Sequence, residues 1–487
     1  MKLGKAFSDG VVSESKISRG DDRDSKPSWW MGVGRILFLT CLFLVCMFIL
    51  LTRLFYLTLI DGHRYRVLSD TNRIRELVRH APRGILLDRT GKALAANIPR
   101  YRMEELCSTA ETQVCTRTLP KEEGDRLIAQ GLPAGSFLEV DYERDYPYGS
   151  NLSHVIGYTG ELDEEELRDG YYVARNYKRG DRIGRVGAEA VYEEKLRGRD
   201  GRELVEIDAS GKILRTLGID QEVPGEDVTL SIDAELNSAA GSAFPSGKKG
   251  AIVVAKPLTG EILALYSSPT FSPERFSQGL RADEYIDLVE NPDQPLFDRA
   301  IGGVYPPGST FKLVTALAAL EEKAVDEHTL VQDIGVIRIG SKFSFPNWYF
   351  LKYGKTDGNV DIVKGLQRSN DIYFYKAGEF LGISKLAKWA HTVGIGKPLG
   401  IEIGGEASGL MPDPAWKNDR FASPADLEAR NNAWYLGDTY HIAIGQGYLL
   451  VSPLQVNAWT NIIANQGKIC RPTIKKREAG SLPAQAG

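Results

Sequence analysis

The chain has 487 residues, an ordinary globular composition and a formal net charge of -4. That length exceeds one compact domain and asks for two or three. The near-neutral charge and the lack of a long basic block exclude a nucleic-acid binder built on an electrostatic patch.

Residues 1–28 are polar and mixed in charge, the composition of a disordered tail. From Ile36 to Thr52 no charge occurs between Arg35 and Arg53, and apolar residues resume from Leu54 to Ile60. A helix needs about 20 largely apolar residues to cross a bilayer. Residues 35–60 are therefore expected to form one uncleaved transmembrane anchor, with Trp29, Trp30 and Tyr56 as interfacial aromatics. A cleaved signal peptide fits less well, since a long tail precedes the span and no small-residue cleavage site follows. Basic residues lie on both sides of it, among them Lys16, Arg19, Arg64 and Arg66, and do not decide orientation. Large domains translocate largely regardless of charge, so the expectation is a cytoplasmic tail, 1–34, and a body outside.

Cys107 and Cys115 are close enough in sequence for a disulfide in such a body, or remain two thiols. No cysteine spacing resembles a zinc site, and no metal or cofactor is called for.

Residues 61–224 are charged, Arg-rich and short of long apolar runs, which predicts an extended domain of short strands and helices. Asp163–Leu167 reads as a short acidic helix start and Gly180–Gly187 as a Gly-rich turn. Near Gly225 the texture changes. Val228–Ile232 alternates like a strand. Ala251–Ala255 reads as a buried strand, Pro257–Gly260 as a turn and Ile262–Tyr266 as the returning strand of a hairpin. Helices are predicted over Thr310–Glu322, Asn370–Leu381 and Pro453–Asn465. This segregation predicts an α+β fold with an antiparallel sheet.

Tyr305-Pro306-Pro307-Gly308-Ser309-Thr310-Phe311-Lys312 opens the first of those helices. A serine hydroxyl is a weak nucleophile until a base takes its proton, and a lysine is such a base once burial lowers its pKa. Three residues apart, Ser309 and Lys312 share one helix face. Leu313, Val314, Ala316, Leu317 and Leu320 bury that helix. The Ser309 N–H, free at the helix terminus, suits an oxyanion. Ser-x-x-Lys recurs at Ser13–Lys16 and Ser246–Lys249, so the triplet spacing alone equally describes a helix cap with a solvated lysine. There is no His-Glu-x-x-His, no Gly-x-Ser-x-Gly and no dinucleotide fingerprint.

Residues 295–312 together resemble the nucleophile region of class B penicillin-binding proteins, the D,D-transpeptidases that cross-link peptidoglycan. The resemblance extends to Arg83–Arg89 with Gly91, to Gly184–Gly187 with Tyr192 and Leu196–Gly198, and to Thr259–Ala264 with Ser267–Pro269. Gly445-Gln446-Gly447, with Pro453 and Gln455, is similar to a late active-site wall that binds substrate. The second family motif, Ser-x-Asn, is matched by Ser369-Asn370-Asp371, and its Asp371 resembles the elongation-type, penicillin-binding protein 2 branch. By this resemblance Ser369 relays a proton between lysine and leaving amine, and Asp371 accepts from Lys312 or binds the substrate amide. Ser, Asn and Asp also cap helices well, so a plain cap reading stands beside it.

The third motif, Lys-[Thr/Ser]-Gly, is absent; Lys355-Thr356 is followed by Asp357. The resemblance then implies a chain truncated at its C-terminus, with the last strands of the sheet missing. The expectations are a single transmembrane helix, a non-catalytic pedestal of dimerisation type at 61–224, and a transpeptidase domain related to serine β-lactamases at 225–487. Peptidoglycan stem peptides are the implied substrates, β-lactams the inhibitors, and a polytopic cell-wall glycosyltransferase the partner. The implied location is the bacterial cytoplasmic (inner) membrane, single-pass, with the body in the periplasm or extracytoplasmic space. Alternatives are a catalytically inactive scaffold for cell-wall elongation, a division-type transpeptidase, and a β-lactam sensor or hydrolase.

Overall fold

The computed structural model describes residues 29–64, 73–106, 114–133, 136–208 and 212–478. The polar tail 1–28 and Cys107 lie outside them. The chain divides into two units, Met1–Arg75 and Glu76–Gly487.

In the first unit, helix α1 spans Trp29–Phe55 and continues as one π-helical stretch, Tyr56–Ile60. Its apolar part, Gly34–Ile60, is 27 residues long, and its most apolar window buries nothing inside protein. At about 1.5 Å rise per residue it reaches about 40 Å, enough for a bilayer core. Its polar side chains satisfy themselves: the Thr40 and Thr52 hydroxyls each donate to the carbonyl four residues earlier, at 2.8 Å.

The second unit begins with a polar-cored part. Strand β1 (Ile74–Arg79) joins β8 (Gly201–Ile207) and β9 (Ile213–Asp220) in the order β1-β8-β9. A second sheet is built on β3 (Ala93–Leu106), a 14-residue strand longer than the short strands expected here. It pairs antiparallel with β4 (Val114–Pro120) on one side and β5 (Phe137–Asp145) on the other. Two-sided pairing supports the length. Asp88 shapes the turn into β3 by accepting the N–H groups of Thr90 and Lys92 at 2.7 and 2.9 Å. Strand β6 (Tyr158–Glu161) pairs antiparallel with β7 (Arg182–Val186), so the glycine-rich stretch read as a turn contains a strand. The backbone ladder to β6 outweighs the weak strand propensity of its glycine. Cys115 is disulfide-bonded.

Helix α2 (Gly187–Val191) places Glu189 at the centre of this part, fully buried. Arg144 Nε and Arg83 Nε each donate to its carboxylate at 2.7 Å, and Arg83 Nη2 donates to Glu193 at 2.6 Å. Burial by itself raises the Glu189 pKa; the charges of Arg144 and Arg83 more than reverse this and hold it below the ordinary glutamate range.

Strand β10 (Val228–Thr229) pairs parallel with β2 (Leu86–Leu87), so the chain beyond Gly225 first completes the preceding sheet. It is shorter than the predicted Val228–Ile232; the Leu230 N–H still donates to the Leu87 carbonyl at 2.8 Å, but Leu230 also forms an isolated bridge with Lys475. Beyond it, β11 (Gly250–Ala255) and β12 (Ile262–Ser268) form the predicted antiparallel hairpin. Strand β11 is half-buried along its whole length rather than buried. Among the described residues its sheet has two strands, extended by the bridge from Glu261 to Thr473. One apolar core joins Leu86, Leu152 and Ala188 of the first part to Ile262, Leu265 and Leu454 of the second.

Helix α3 (Ala234–Ala243) lies against β12, and helix α4 (Lys312–Glu321) follows later in the chain. Helix α4 separates two further cores. Phe311, Val314 and Ala318 pack toward Trp459 and Ile442, while Ala316 and Ala319 pack toward Tyr373 and Phe374. Replacing Glu189 by Gln is expected to cost about 3–5 kcal/mol in denaturant unfolding at neutral pH, because two buried arginines lose their anion. The Glu189 pKa is depressed on folding, so its contribution is present above the unfolded value, near 4.3, and is lost as pH falls through the folded one. The gap between parent and variant should therefore close in acid.

Candidate active site

Gly308 has φ +58°, a left-handed conformation that turns the chain after two prolines. Gly308–Phe311 then form a 3₁₀ turn that leads into α4. Residues three apart eclipse one another in a 3₁₀ helix. Ser309 and Lys312 therefore stack along one face, and the Ser309 N–H lies in a first turn with no intrahelical acceptor.

Lys312 is 1% exposed. Its ammonium donates to Asp371 Oδ1 at 2.7 Å, to the Ser369 carbonyl at 2.8 Å and to Ser369 Oγ at 3.1 Å. All three N–H donors of the ammonium are thus engaged. Burial pushes the Lys312 pKa down, and the neighbouring Asp371 carboxylate only partly offsets it. Ser369 Oγ in turn donates to Ser309 Oγ at 2.9 Å. The contact from lysine to the candidate nucleophile thus runs through a second hydroxyl.

Ser369 ends the helix Ile362–Arg368 in the left-handed region, at φ 50°, which is uncommon for a residue with a Cβ. Helix α6 (Asp371–Leu381), which follows α5 (Trp348–Tyr353), is capped by Asn370, whose side chain accepts the Tyr373 N–H at 2.9 Å. The three residues of the motif therefore divide the work. Asn370 is the cap, Ser369 turns its hydroxyl toward Ser309, and Asp371 meets Lys312.

The Gly445 stretch follows α7 (Leu436–Ala443) and precedes α8 (Pro453–Ala464). Gly308 N–H donates to the Gly445 carbonyl at 2.8 Å, and Tyr305 and Val451 exchange backbone hydrogen bonds at 2.9 Å. Gly445 thus packs behind the turn that carries Ser309. The cleft of about 530 Å³ is lined by Ser309, Ser369, Asp371, Trp348, Tyr375 and Gln446, with Phe345, Pro346, His441 and Ile444 among its other walls. Of the expected substrate wall, Gln446 lines it; Gly445 and Gly447 are not among its lining residues.

Sequence reasoning did not find the stretch Phe345-Pro346-Asn347-Trp348. Its Trp348 N–H donates to Asp371 Oδ2 at 2.9 Å, and its rings and proline form one side of the cleft. Only its run of aromatics in a polar neighbourhood marks it. A Cβ at Gly445, where φ is +77°, would come within 2.0 Å of the Gly308 carbonyl oxygen. Gly445→Ala is expected to lower stability by about 1–3 kcal/mol through strain, read as a fall in denaturation midpoint. An unchanged midpoint would show that the turn moves freely.

Residues 250–485 match the penicillin binding protein transpeptidase domain family, and residues 105–230 match the penicillin-binding protein dimerisation domain family. The chain is 34% identical over 489 residues to the peptidoglycan D,D-transpeptidase MrdA of Acinetobacter baumannii, a match covering 92% of this chain and 70% of that protein. It is similar to the solved complex between penicillin-binding protein PBP2 and MreC from Helicobacter pylori, with a TM-score of 0.71 and 27% identity over 84% of this chain and 80% of that one. A further likeness is to a chain of a peptidoglycan synthase complex solved for the coordination of polymerization and crosslinking. That match has a TM-score of 0.68 and 29% identity, covering 93% of this chain and 81% of the other.

Proposed function

This chain belongs to the penicillin-binding proteins, among the peptidoglycan D,D-transpeptidases of MrdA type, and from that membership we propose how its own residues cross-link peptidoglycan stem peptides. The observation that carries the reading is the hydrogen-bonded run from Lys312 through Ser369 to Ser309 inside the cleft. Ser309 Oγ attacks the carbonyl carbon of the penultimate D-alanine. The new C–O bond forms, the peptide C–N bond breaks, and terminal D-alanine departs as the amine. The amine of a neighbouring stem then attacks the acyl carbon: a C–N bond forms, the ester C–O bond to Ser309 breaks, and a proton from the amine returns to Ser309 Oγ. With Lys312 neutral, the Ser309 proton passes to it by way of Ser369 and is returned to the departing nitrogen. The Ser309 N–H holds the developing oxyanion. Gln446, between Gly445 and Gly447, contacts the stem peptide. β-Lactams acylate Ser309 in the same way.

Residues 61–224 serve as a pedestal outside the chemistry and residues 225–487 as the transpeptidase part, a division supported by the two family matches. The apolar helix at Gly34–Ile60 supports a single-pass anchor in the bacterial cytoplasmic membrane, with the body on the extracytoplasmic side. The likeness to the peptidoglycan synthase complex supports a polytopic glycosyltransferase as partner in cell elongation.

Fluorescent penicillin, read by intact mass, is expected to leave one adduct on the parent chain and none on Ser309→Ala of unchanged melting temperature. Equal labelling of both would remove Ser309 from its role, and a folded parent without adduct would fit the inactive scaffold instead. The acylation rate is expected to rise with pH as Lys312 loses its proton, below the ordinary lysine value of about 10.4, because burial lowers that pKa. Asp371 pulls the other way, so Asp371→Asn should move this limb to lower pH while lowering the plateau. A limb that moves upward would contradict the Lys312–Asp371 pairing.

A further inference from the structure

Asp333 ends strand β13 (Val331–Asp333) and is 3% exposed. Its Oδ1 accepts the Gly335 N–H at 2.8 Å. Its Oδ2 accepts Asn347 Nδ2 at 2.8 Å, the Asp357 N–H at 2.9 Å and Asn370 Nδ2 at 2.9 Å, and Asn370 Nδ2 also donates to the Asp357 carboxylate at 3.0 Å. A carboxylate surrounded by N–H donors only accepts, so both asparagine amides must turn their NH₂ groups toward it. Their oxygens are then obliged to face away. Asn347 Oδ1 accepts the Asp371 N–H at 3.2 Å, and Asn370 Oδ1 accepts the Tyr373 N–H at 2.9 Å. Both are first-turn donors of α6 that the helix cannot satisfy itself. Both asparagines are fully buried, so a flipped amide would leave polar groups unpaired. Trp348, the next residue after Asn347, holds the far oxygen of Asp371 at 2.9 Å and leaves the near one for Lys312.

We infer that Asp333 is a positioning residue for the acyl transfer: by fixing the orientation of Asn347, and with Asp357 that of Asn370, it sets where Asp371 stands and so how it grips Lys312. Asp333 touches neither the cleft nor Lys312 and acts only through these intermediates. The inference rests on the role of Lys312 given above.

The test is the pH dependence of Ser309 acylation by fluorescent penicillin in the full chain. Asp333→Asn can offer its own NH₂ to Asn347 and permits its flip, while Asp357 still holds the amide of Asn370. The variant is expected to slow acylation by up to about 100-fold, the scale of a misplacement of about 1 Å. Its acidic limb should also move to lower pH, in the direction of Asp371→Asn, because Lys312 is less firmly held by its anion. Combined with Asp371→Asn, it should move the limb no further than Asp371→Asn alone. A purely structural role would lower the melting temperature and leave the limb in place. Asn347→Ala removes the same link while leaving Asp333 its other donors, and it is expected to shift the limb likewise should Asp333→Asn not fold. A folded variant of either kind with the parent's limb overturns the inference. A parent chain without a Ser309-dependent adduct overturns the functional reading itself, and this inference with it.

Discussion

Burying the ammonium of Lys312 is the constraint around which the catalytic part is organised. A lysine at 1% exposure must find acceptors for every N–H, or the desolvation it suffers is not offset. Ser369 and Asp371 supply them, and both lie at the N-terminal edge of α6. Helix α6 must therefore dock beside α4. The apolar faces that allow this are Ala316 and Ala319 against Tyr373 and Phe374. Close approach is also needed on the far side of α6, where a Cβ on Gly378 would come within 2.6 Å of that of Ala443 in α7. The small residue brings α7, and with it the Gly445 turn, up behind Ser309. The polar demand of one side chain thus fixes three helices.

The candidate site was partly legible because two of its pieces are local. Ser309 and Lys312 are linked by helical spacing, the helix over 310–322 carries its apolar face in sequence, and Ser369-Asn370-Asp371 offers a cap for the helix over 370–381. Ser369 and Asp371 were found only through family resemblance, since nothing in composition links position 312 to position 369. The Asp333, Asn347 and Trp348 contacts were not found at all. They join segments 14 to 37 residues apart through hydrogen bonds, which leave no periodic trace. The strand over Arg182–Val186 was missed for a related reason: its order comes from the partner strand rather than from its own residues. The half-buried state of β11 depended on what covers it, which an alternating or apolar run does not encode.

The two parts of the body solve the problem of stability differently. Around α4 and α6 one buried ion pair, Lys312–Asp371, sits in an interior that is otherwise mostly aliphatic and aromatic. Around Glu189 it is ionic, with Arg83 and Arg144 drawn inward against the cost of desolvating them. Such a centre gives direction more than net energy, since only one arrangement pairs every charge. It holds the loop before β2, strand β5 and helix α2 in fixed relation.

The bridges from Leu230 to Lys475 and from Glu261 to Thr473 have a consequence for how the protein is made. Strand edges laid down early in synthesis wait for a segment more than 200 residues later to cover them. As the chain is made, the hairpin of β11 and β12 emerges with an open edge, the kind of surface that recruits foreign strands. The closing segment also bears on the Ser231 hydroxyl and N–H, which bond to Thr473 and Ile474. The cover that Thr473 and Lys475 give to these edges is thus a late event in synthesis.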